Sequence, residues 1–389
     1  MMIGIIGAPN KGKSTLFSAL TMHDVPIANR PFTTINPNLG VTYVSVECAE
    51  KKLKVRCNPK NSTCVDGVRQ IPINVVDVAG LVEGAHEGKG MGNKFLNDLA
   101  TADAFILVVD GSGETDPEGN PCGGCDPAKD VAIVSRELEE WISGIMEKHD
   151  AQISKRADGV DALYEVLSGL KISRDQIEIA LGKANLPKSF FSPRHEDRIA
   201  FAKLLLEESK PMVVAFNKSD TKEAQENFKR FNVGKETVPC SAAIELAMRK
   251  AEKSGLISLD RESGAITVKK GVNEEQAEAI EYMKGFISNF HSTNIQELVN
   301  KTVFEVLDSI VVYPVEDEHK YTDHFGNVLP DAVLLKRGST ALDLAGHIHT
   351  DLAKNMLYAI DALNKKKVGK DYVLKNGDVI RIVSSARPG

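Results

Sequence analysis

The chain has 389 residues, 42 % of them hydrophobic and 26 % charged, with a formal net charge of −6 at neutral pH. That length leaves room for two or three separately cored domains. The acidic balance argues against a surface that coats nucleic acid broadly, and no apolar run of spanning length and no basic-apolar-small leader is present, so a cytoplasmic protein without a membrane partner is expected.

Met2–Ile6 is a short apolar run and reads as a buried strand. Gly7-Ala8-Pro9-Asn10-Lys11-Gly12-Lys13-Ser14 follows and fits G-x4-G-K-[ST] without a mismatch. Thr15 to Leu20 continues as a helix. Strand, glycine loop and helix together aim backbone N–H groups and a positive helix end at an anion. The phosphate-binding set is therefore Gly7, Asn10, Lys11, Gly12, Lys13, Ser14 and Thr15, with Lys13 reaching the β- and γ-phosphates and Ser14 giving its hydroxyl to Mg²⁺.

Asn29 to Asn38 is rich in proline and asparagine and reads as a loop. Thr34, with Thr33 as second choice, is the threonine expected to meet Mg²⁺ and the terminal phosphate and to release both on hydrolysis. Ile71 to Val76 reads as a strand that ends in Asp77, a carboxylate placed to hold Mg²⁺ through water. The N–H of Gly80 is aimed at the γ-phosphate, and Gly84, Gly88, Gly90 and Gly92 make the following segment costly to order. Position 81 is Leu, where many GTPases carry a glutamine that orients water, so slow intrinsic turnover is expected. His86 is the nearest titratable candidate for a catalytic group, against the blander reading of a solvated loop histidine.

Cys57 and Cys64 lie ahead of Asp77, and Cys122-Gly-Gly-Cys125 lies after the apolar strand Phe105 to Asp110. Cys57, Cys64, Cys122 and Cys125 meeting in space would make a four-thiolate Zn²⁺ site. A redox or disulfide role is the second reading, and free thiols are the favoured third. Cys48 and Cys240 read as small buried apolar residues. The interval from Asp77 to Asn217 is far longer than a bare connection. Ile133, Leu138, Trp141 and Ile145, then Val160, Leu163, Leu167 and Leu170, recur at near-helical spacing. Helices are expected at about 128–148, 157–170, 174–184 and 194–209, the first two as an antiparallel hairpin in a charged docking arm.

Pro211 to Phe216 is an apolar strand that delivers Asn217-Lys218-Ser219-Asp220 at its carboxyl end, where ligands sit in open parallel sheets. The carboxylate of Asp220 only accepts hydrogen bonds. Guanine offers it N1–H and a 2-amino group; adenine offers neither, and the unmet charge costs at least about 1–3 kcal/mol. Lys218 would lie over the base, and backbone N–H groups near Ser241 and Ala242 would meet the guanine O6. The motifs together imply a guanine nucleotide, GTP or GDP, with Mg²⁺.

Beyond residue 243 the pattern returns to helices, with a short strand at Gly264–Val268. Near 311 it changes: Val311–Tyr313 and Ala332–Leu335 read as strands, Thr340 to Leu363 as a helix, and Tyr372–Leu374 with Val379–Val383 as a closing hairpin. Lys365-Lys366-Lys367 and Lys370 form a basic knot, either a solvated helix end or a phosphate-contacting patch on RNA.

Three runs carry a family resemblance: the phosphate loop through Thr15, Pro31-Phe32-Thr33-Thr34-Ile35-Asn36-Pro37-Asn38, and Asp77 to His86 running on to Gly92-Asn93-Lys94-Phe95-Leu96. With them the chain resembles the Obg-related P-loop GTPases of the YchF group, and its tail from about 311 resembles the TGS domain. The resemblance implies an α/β P-loop NTPase fold, a mostly parallel doubly wound sheet in residues 1–310 interrupted by a helical insertion at about 128–209, and a β-grasp domain in 311–389. It also implies association with ribosomes, RNA or translation. The better-known branch carries a glutamate at the base-reading position and accepts ATP; Asp220 places this chain with the branch that keeps N-K-x-D. Some relatives place a histidine where this chain has Leu107, so that mechanism does not transfer. An asparagine at the place of Asn10 helps some P-loop GTPases bind K⁺, which makes K⁺ a second candidate cofactor. Three functions stay open: a GTP-hydrolysing switch, a ribosome- or RNA-binding scaffold stabilised by nucleotide, and a YchF-like ATPase.

Overall fold

The computed structural model describes residues 1–22, 38–78, 80–81, 83–84, 99–156, 158–186, 194–260, 265–269 and 271–385. Thr33, Thr34 and His86 lie outside the described residues. Two compact units gather the described residues: Met1–Met22 with 38–41 and Asn74–Leu298, and Thr42–Ile73 with 299–385.

The main sheet is built from β1 (Met2–Ile6), β2 (Leu39–Glu47), β3 (Thr63–Val65), β4 (Val68–Asp77), β5 (Ala104–Asp110), β6 (Met212–Asn217) and β7 (Thr237–Pro239). Its order is β2-β4-β1-β5-β6-β7, with β3 paired to β4. The β4–β1, β1–β5, β5–β6 and β6–β7 pairs are all parallel. Such strands are covered on both faces and read as unbroken apolar runs. β5 obeys this in full, being buried from Ala104 to Asp110. Gly4 is glycine because a Cβ there would meet the Phe105 ring at 2.8 Å.

Between β5 and β6 stand the helices Ala128–Lys148, Asp150–Ile153, Gly159–Leu167, Arg174–Lys183 and His195–Ser209. Asp158 caps the third of these through Val160 N, and Ser173 with Gln176 forms a capping box on the fourth. The expected hairpin pairing differs: Ala128–Lys148 packs chiefly along His195–Ser209 and less against Gly159–Leu167. Val134, Leu138, Trp141 and Ile142 share one continuous core with Ile6, Val76 and Leu107 of the sheet. Spacing alone showed which face was apolar but not which neighbour would cover it. A second cluster joins helices Ala242–Lys253 and Glu274–Phe290 to Ile257 of β8 (Ile257–Leu259), which pairs with β9 (Ile266–Val268).

The tail forms a five-stranded sheet of order β11-β10-β14-β12-β13, from β10 (Ser309–Val315), β11 (Val333–Lys336), β12 (Met356–Asp361), β13 (Lys366–Val368) and β14 (Val379–Ser384). β10 and β14 are parallel; the other pairs are antiparallel. Helix Ala341–Ile348, capped by Thr340, packs Leu344 and Ala345 onto Ile310, Val312 and Ile380. This mixed sheet with a helix packed on it agrees with the β-grasp expected for the tail.

Two expectations for the tail are corrected. The single helix Thr340–Leu363 does not form: His349 turns extended (φ −163), its Nδ1 accepts from Asp351 N at 3.1 Å to start a short helix Thr350–Asn355, and Met356 onward becomes β12. Ala359 and Asp361 are buried while Tyr358 and Ile360 between them are less so, the alternation of a strand, and a register shift between Met356 and Tyr358 breaks that alternation at its start. The closing hairpin is also absent, because β14 pairs with β12 and β10 while Val373 makes only an isolated bridge to Thr340. The basic knot thus sits on a hairpin: Lys365 takes φ 52 at the turn, and Lys366 and Lys367 are exposed on β13, at the end of the sheet order. Lys367 lies over the Tyr358 ring at 3.8 Å. Charged side chains on an edge strand discourage pairing with another chain.

Candidate nucleotide site

The phosphate loop joins β1 to helix Lys13–Thr21. Gly7 (φ 145) and Gly12 (φ 97) adopt backbone that other residues resist. A Cβ on Gly7 would stand 2.5 Å from Val108 O, and one on Gly12 2.3 Å from Asn217 Nδ2. Helix Lys13–Thr21 has no side-chain cap and no acidic residue in its first turn. Its leading N–H groups are thus available to an anion from outside the helix, with Thr15 in that same turn.

Lys13 is buried and donates to Ala8 O at 2.7 Å. Burial lowers its pKa, and the neighbouring Asp77 charge works against that drop. Ser14 Oγ donates to Asp77 Oδ2 at 3.2 Å, which puts two hard oxygen donors side by side, as Mg²⁺ prefers. Burial raises the pKa of Asp77; the Ser14 hydrogen bond and the Lys13 charge offset part of the rise. Gly80 lies against this group: a Cβ there would stand 3.2 Å from Lys13 Nζ. Leu81 N donates to Gly7 O, while the Leu81 side chain is 2 % exposed in the main core. Its side chain is spent on packing. Leu107 is fully buried in the same core. Gly84 N donates to the buried Glu137 carboxylate at 2.7 Å, so the start of the glycine-rich segment is tied to helix Ala128–Lys148.

The side chains of two loop residues are held by protein groups. Lys11 is fully buried, donates to Thr115 O, Thr115 Oγ1 and Asp116 O, and forms an ion pair with Asp130 at 2.9 Å. Its ammonium is held by the segment after β5 and by Asp130. Asn10 donates through Nδ2 to Gly119 O at 2.9 Å. A Cβ on Gly119 (φ 87) would meet Pro9 Cβ at 2.9 Å. The stretch from Gly111 to Pro127 therefore braces the phosphate loop from outside, which no motif announced.

At the other end of the site, Asn217 ties the motifs together. Its Nδ2 donates to Lys11 O at 3.0 Å and its Oδ1 accepts from Ala242 N at 3.0 Å. Ser241 Oγ caps helix Ala242–Lys253 through Ile244 N, and Ser241 N donates to Thr293 O at 3.3 Å. The N–H groups of Ser241 and Ala242, expected to meet guanine O6, thus have internal partners here. Lys218 (φ 62) donates to Asp110 Oδ2 at 2.8 Å. Burial alone would raise Asp110; hydrogen bonds from Lys218, Ser112 and Thr115 outweigh it and hold the carboxyl below the usual range. Asp220 accepts from Tyr282 Oη at 3.1 Å through Oδ2, while its Oδ1 is buried without a hydrogen-bond partner among the described residues. Asp110 ends an apolar run and was findable from sequence. Tyr282, on a distant helix, carried no signal.

The four-thiolate reading of Cys57, Cys64, Cys122 and Cys125 is corrected: the disulfide alternative holds for one pair and the free-thiol alternative for the other. Cys122 and Cys125 form a disulfide across the Gly123-Gly124 turn, their Cα atoms 5.9 Å apart, so they are neither free thiols nor thiolate ligands. Cys57 and Cys64 are free, and gather with Cys48 and Glu50 instead. Cys48 and Cys240 are buried, as expected.

Comparison with known proteins places these features in a set. Residues 2–153 match the family described as 50S ribosome-binding GTPase, residues 215–317 the G4 motif-containing domain of Obg-like, YGR210-like GTPases, and residues 325–384 the TGS domain. A GTP-binding protein of Methanocaldococcus jannaschii is 49 % identical, over 99 % of this chain and 100 % of its own length. A protein of Mycoplasma genitalium named ribosome-binding ATPase YchF is 28 % identical over 97 % of both chains. The crystal structure of a GTP binding protein from Pyrococcus horikoshii is 38 % identical, covers 99 % of this chain and 100 % of its own, and superposes with a TM-score of 0.78.

Proposed function

We propose, from the premise that the chain belongs to the Obg-like GTPase family of the YchF group, that it hydrolyses GTP slowly to GDP and phosphate as a switch read by a ribosomal or RNA partner. The buried Asp220 Oδ1, an acceptor without a donor among the described residues, carries the choice of guanine. N1–H and the 2-amino group of guanine are the donors it lacks, and adenine would leave it unmet.

Lys13 would leave Ala8 O for the β- and γ-phosphate oxygens, and the first-turn N–H groups would hold the same oxygens. Ser14 and Asp77, with Thr34 outside the described residues, would hold Mg²⁺, which when bound offsets negative charge on the phosphates. Water adds to the γ-phosphorus, the bond from that phosphorus to the β–γ bridging oxygen breaks, and GDP, phosphate and a proton leave. Leu81, packed in the core, orients no water, which supports slow turnover. K⁺ beside Asn10 would add positive charge to the transition state, and equal rates in KCl and NaCl would remove that addition.

The ribosomal reading rests on the description of the matched family and on the name of the YchF relative. Phosphate release from Mg²⁺-GTP and Mg²⁺-ATP, with and without ribosomes, tests the whole. Turnover of GTP with little of ATP is expected, together with cosedimentation with ribosomes that differs between GTP and GDP. Equal turnover of ATP would support the ATPase reading. Cosedimentation indifferent to nucleotide, with no GTP turnover, would support a scaffold.

A further inference from the structure

A second donor cluster stands apart from the nucleotide motifs. Cys48, Glu50, Cys57 and Cys64 bring three sulfurs and one carboxylate oxygen within 4.8 Å of one another. Three local features build it. Cys48 precedes the short helix Ala49–Leu53 and is anchored by its N–H to Gly67 O at 2.8 Å. Glu50 sits in that helix's first turn, and its Oε2 accepts from Cys57 N at 2.8 Å, which fixes the carboxylate and turns Oε1 to Cys64 Sγ at 3.4 Å. Cys64 lies on β3, directly across from Arg69 on β4.

Two of the spacings lie close to the edges of a coordination shell. Zinc–sulfur bonds of about 2.3 Å and zinc–oxygen bonds of about 2.1 Å give tetrahedral edges of about 3.8 Å between sulfurs and about 3.6 Å from sulfur to oxygen. Cys48 Sγ and Cys57 Sγ are 4.0 Å apart, and Cys64 Sγ to Glu50 Oε1 is 3.4 Å. A disulfide uses two sulfurs at about 2.05 Å and would leave both the third cysteine and the carboxylate unexplained. Three thiolates and a carboxylate around a divalent ion keep a net charge of about −2. Arg69, fully buried and without a hydrogen-bond partner for its Nε among the described residues, supplies a positive charge beside Cys64.

We propose that Cys48, Glu50, Cys57 and Cys64 hold a structural Zn²⁺. Three thiolates select a thiophilic metal over Mg²⁺, and four protein ligands mark a closed site. The stretch between Cys57 and Cys64 carries Asn58 N to Val328 O, Lys60 N to Pro330 O and Asn61 Oδ1 from Ala332 N. A metal clamp at both ends of that stretch would fix this docking strip within its unit. The assignment is independent of the nucleotide reading.

The test uses the full chain, purified under reducing conditions and reconstituted with Zn²⁺, with metal read by mass spectrometry after gel filtration. One zinc per chain is expected, kept by Cys122→Ser/Cys125→Ser and weakened by about tenfold or more in Cys64→Ser or Glu50→Gln. Should those variants fail to fold, Co²⁺ loading of the unmodified chain decides: strong sulfur-to-cobalt charge-transfer bands with tetrahedral d–d bands are expected. No retained zinc, unchanged zinc affinity in Cys64→Ser, a cobalt spectrum without charge transfer, or a disulfide mapped among Cys48, Cys57 and Cys64 would each overturn it.

Discussion

The phosphate end and the base end of the nucleotide site divide their motif residues in the same way, but by different means. At the phosphate end two lysines stand two positions apart. Lys11 is locked by an ion pair and three hydrogen bonds into the segment after β5, while Lys13 holds a single loop carbonyl, the contact proposed to give way to phosphate. At the base end Asn217 and Lys218 bind protein groups, and Asp220 keeps a buried acceptor unmet among the described residues. The side chains of these motifs therefore serve mostly as scaffold. The ends also depend on each other, since Asn217 reaches Lys11 O.

The largest test of this division is Lys11→Ala. It strands a buried Asp130 carboxylate and should cost about 3–5 kcal/mol in urea denaturation, with part regained on adding Asp130→Asn. Lys13→Ala should do the reverse, lowering GTP turnover about 100- to 1,000-fold while costing less stability than Lys11→Ala, about 1–3 kcal/mol for the unmet Ala8 O. Equal destabilisation by the two variants would collapse the distinction. Asn217→Ala leaves Lys11 O and Ala242 N without partners, each omission costing about 1–3 kcal/mol. Stability and GTP affinity should then fall together, and a loss of affinity alone would mean that Asn217 touches the base rather than the scaffold.

The smallest effect is a titration. In nucleotide-free protein the Asp77 carboxyl should titrate above the ordinary aspartate range and Asp110 below it, read by carboxyl carbon NMR. The sign for Asp110 follows from its depressed folded pKa: its contribution to stability is present above the unfolded value of 3.8 and is lost as pH falls through the folded one. Acid should thus neutralise the carboxylate at the phosphate end before the brace at the base end. The opposite order would show that burial, not hydrogen bonding, governs both.

The sequence made the parallel strands and motif loops legible because buried parallel strands carry no polar alternation and the glycines sit where backbone must pass close. Gly7 and Gly12 are explained by single contacts that a pattern predicts without naming. It could not reveal that Lys11 turns inward, because that depends on Thr115 and Asp130 arriving from elsewhere in the chain. The tail misled for a different reason. Leu344, Leu352, Met356 and Ala359 fit a helical period as well as two short elements, and only the pairing of β12 with β14 decides between them. Cys48 read as a core residue because its partners Glu50, Cys57 and Cys64 follow no familiar spacing.

The central claim is that Asp220 alone reads the base while its neighbours build the site. Equilibrium binding of GTP and ATP to the full chain and to Asp220→Ala tests it most directly. The account predicts GTP tighter than ATP by roughly 10- to 100-fold, matching about 1–3 kcal/mol, with that preference lost and stability kept in the variant. Equal affinity for ATP in the unmodified chain, or an unchanged preference in Asp220→Ala, would contradict it.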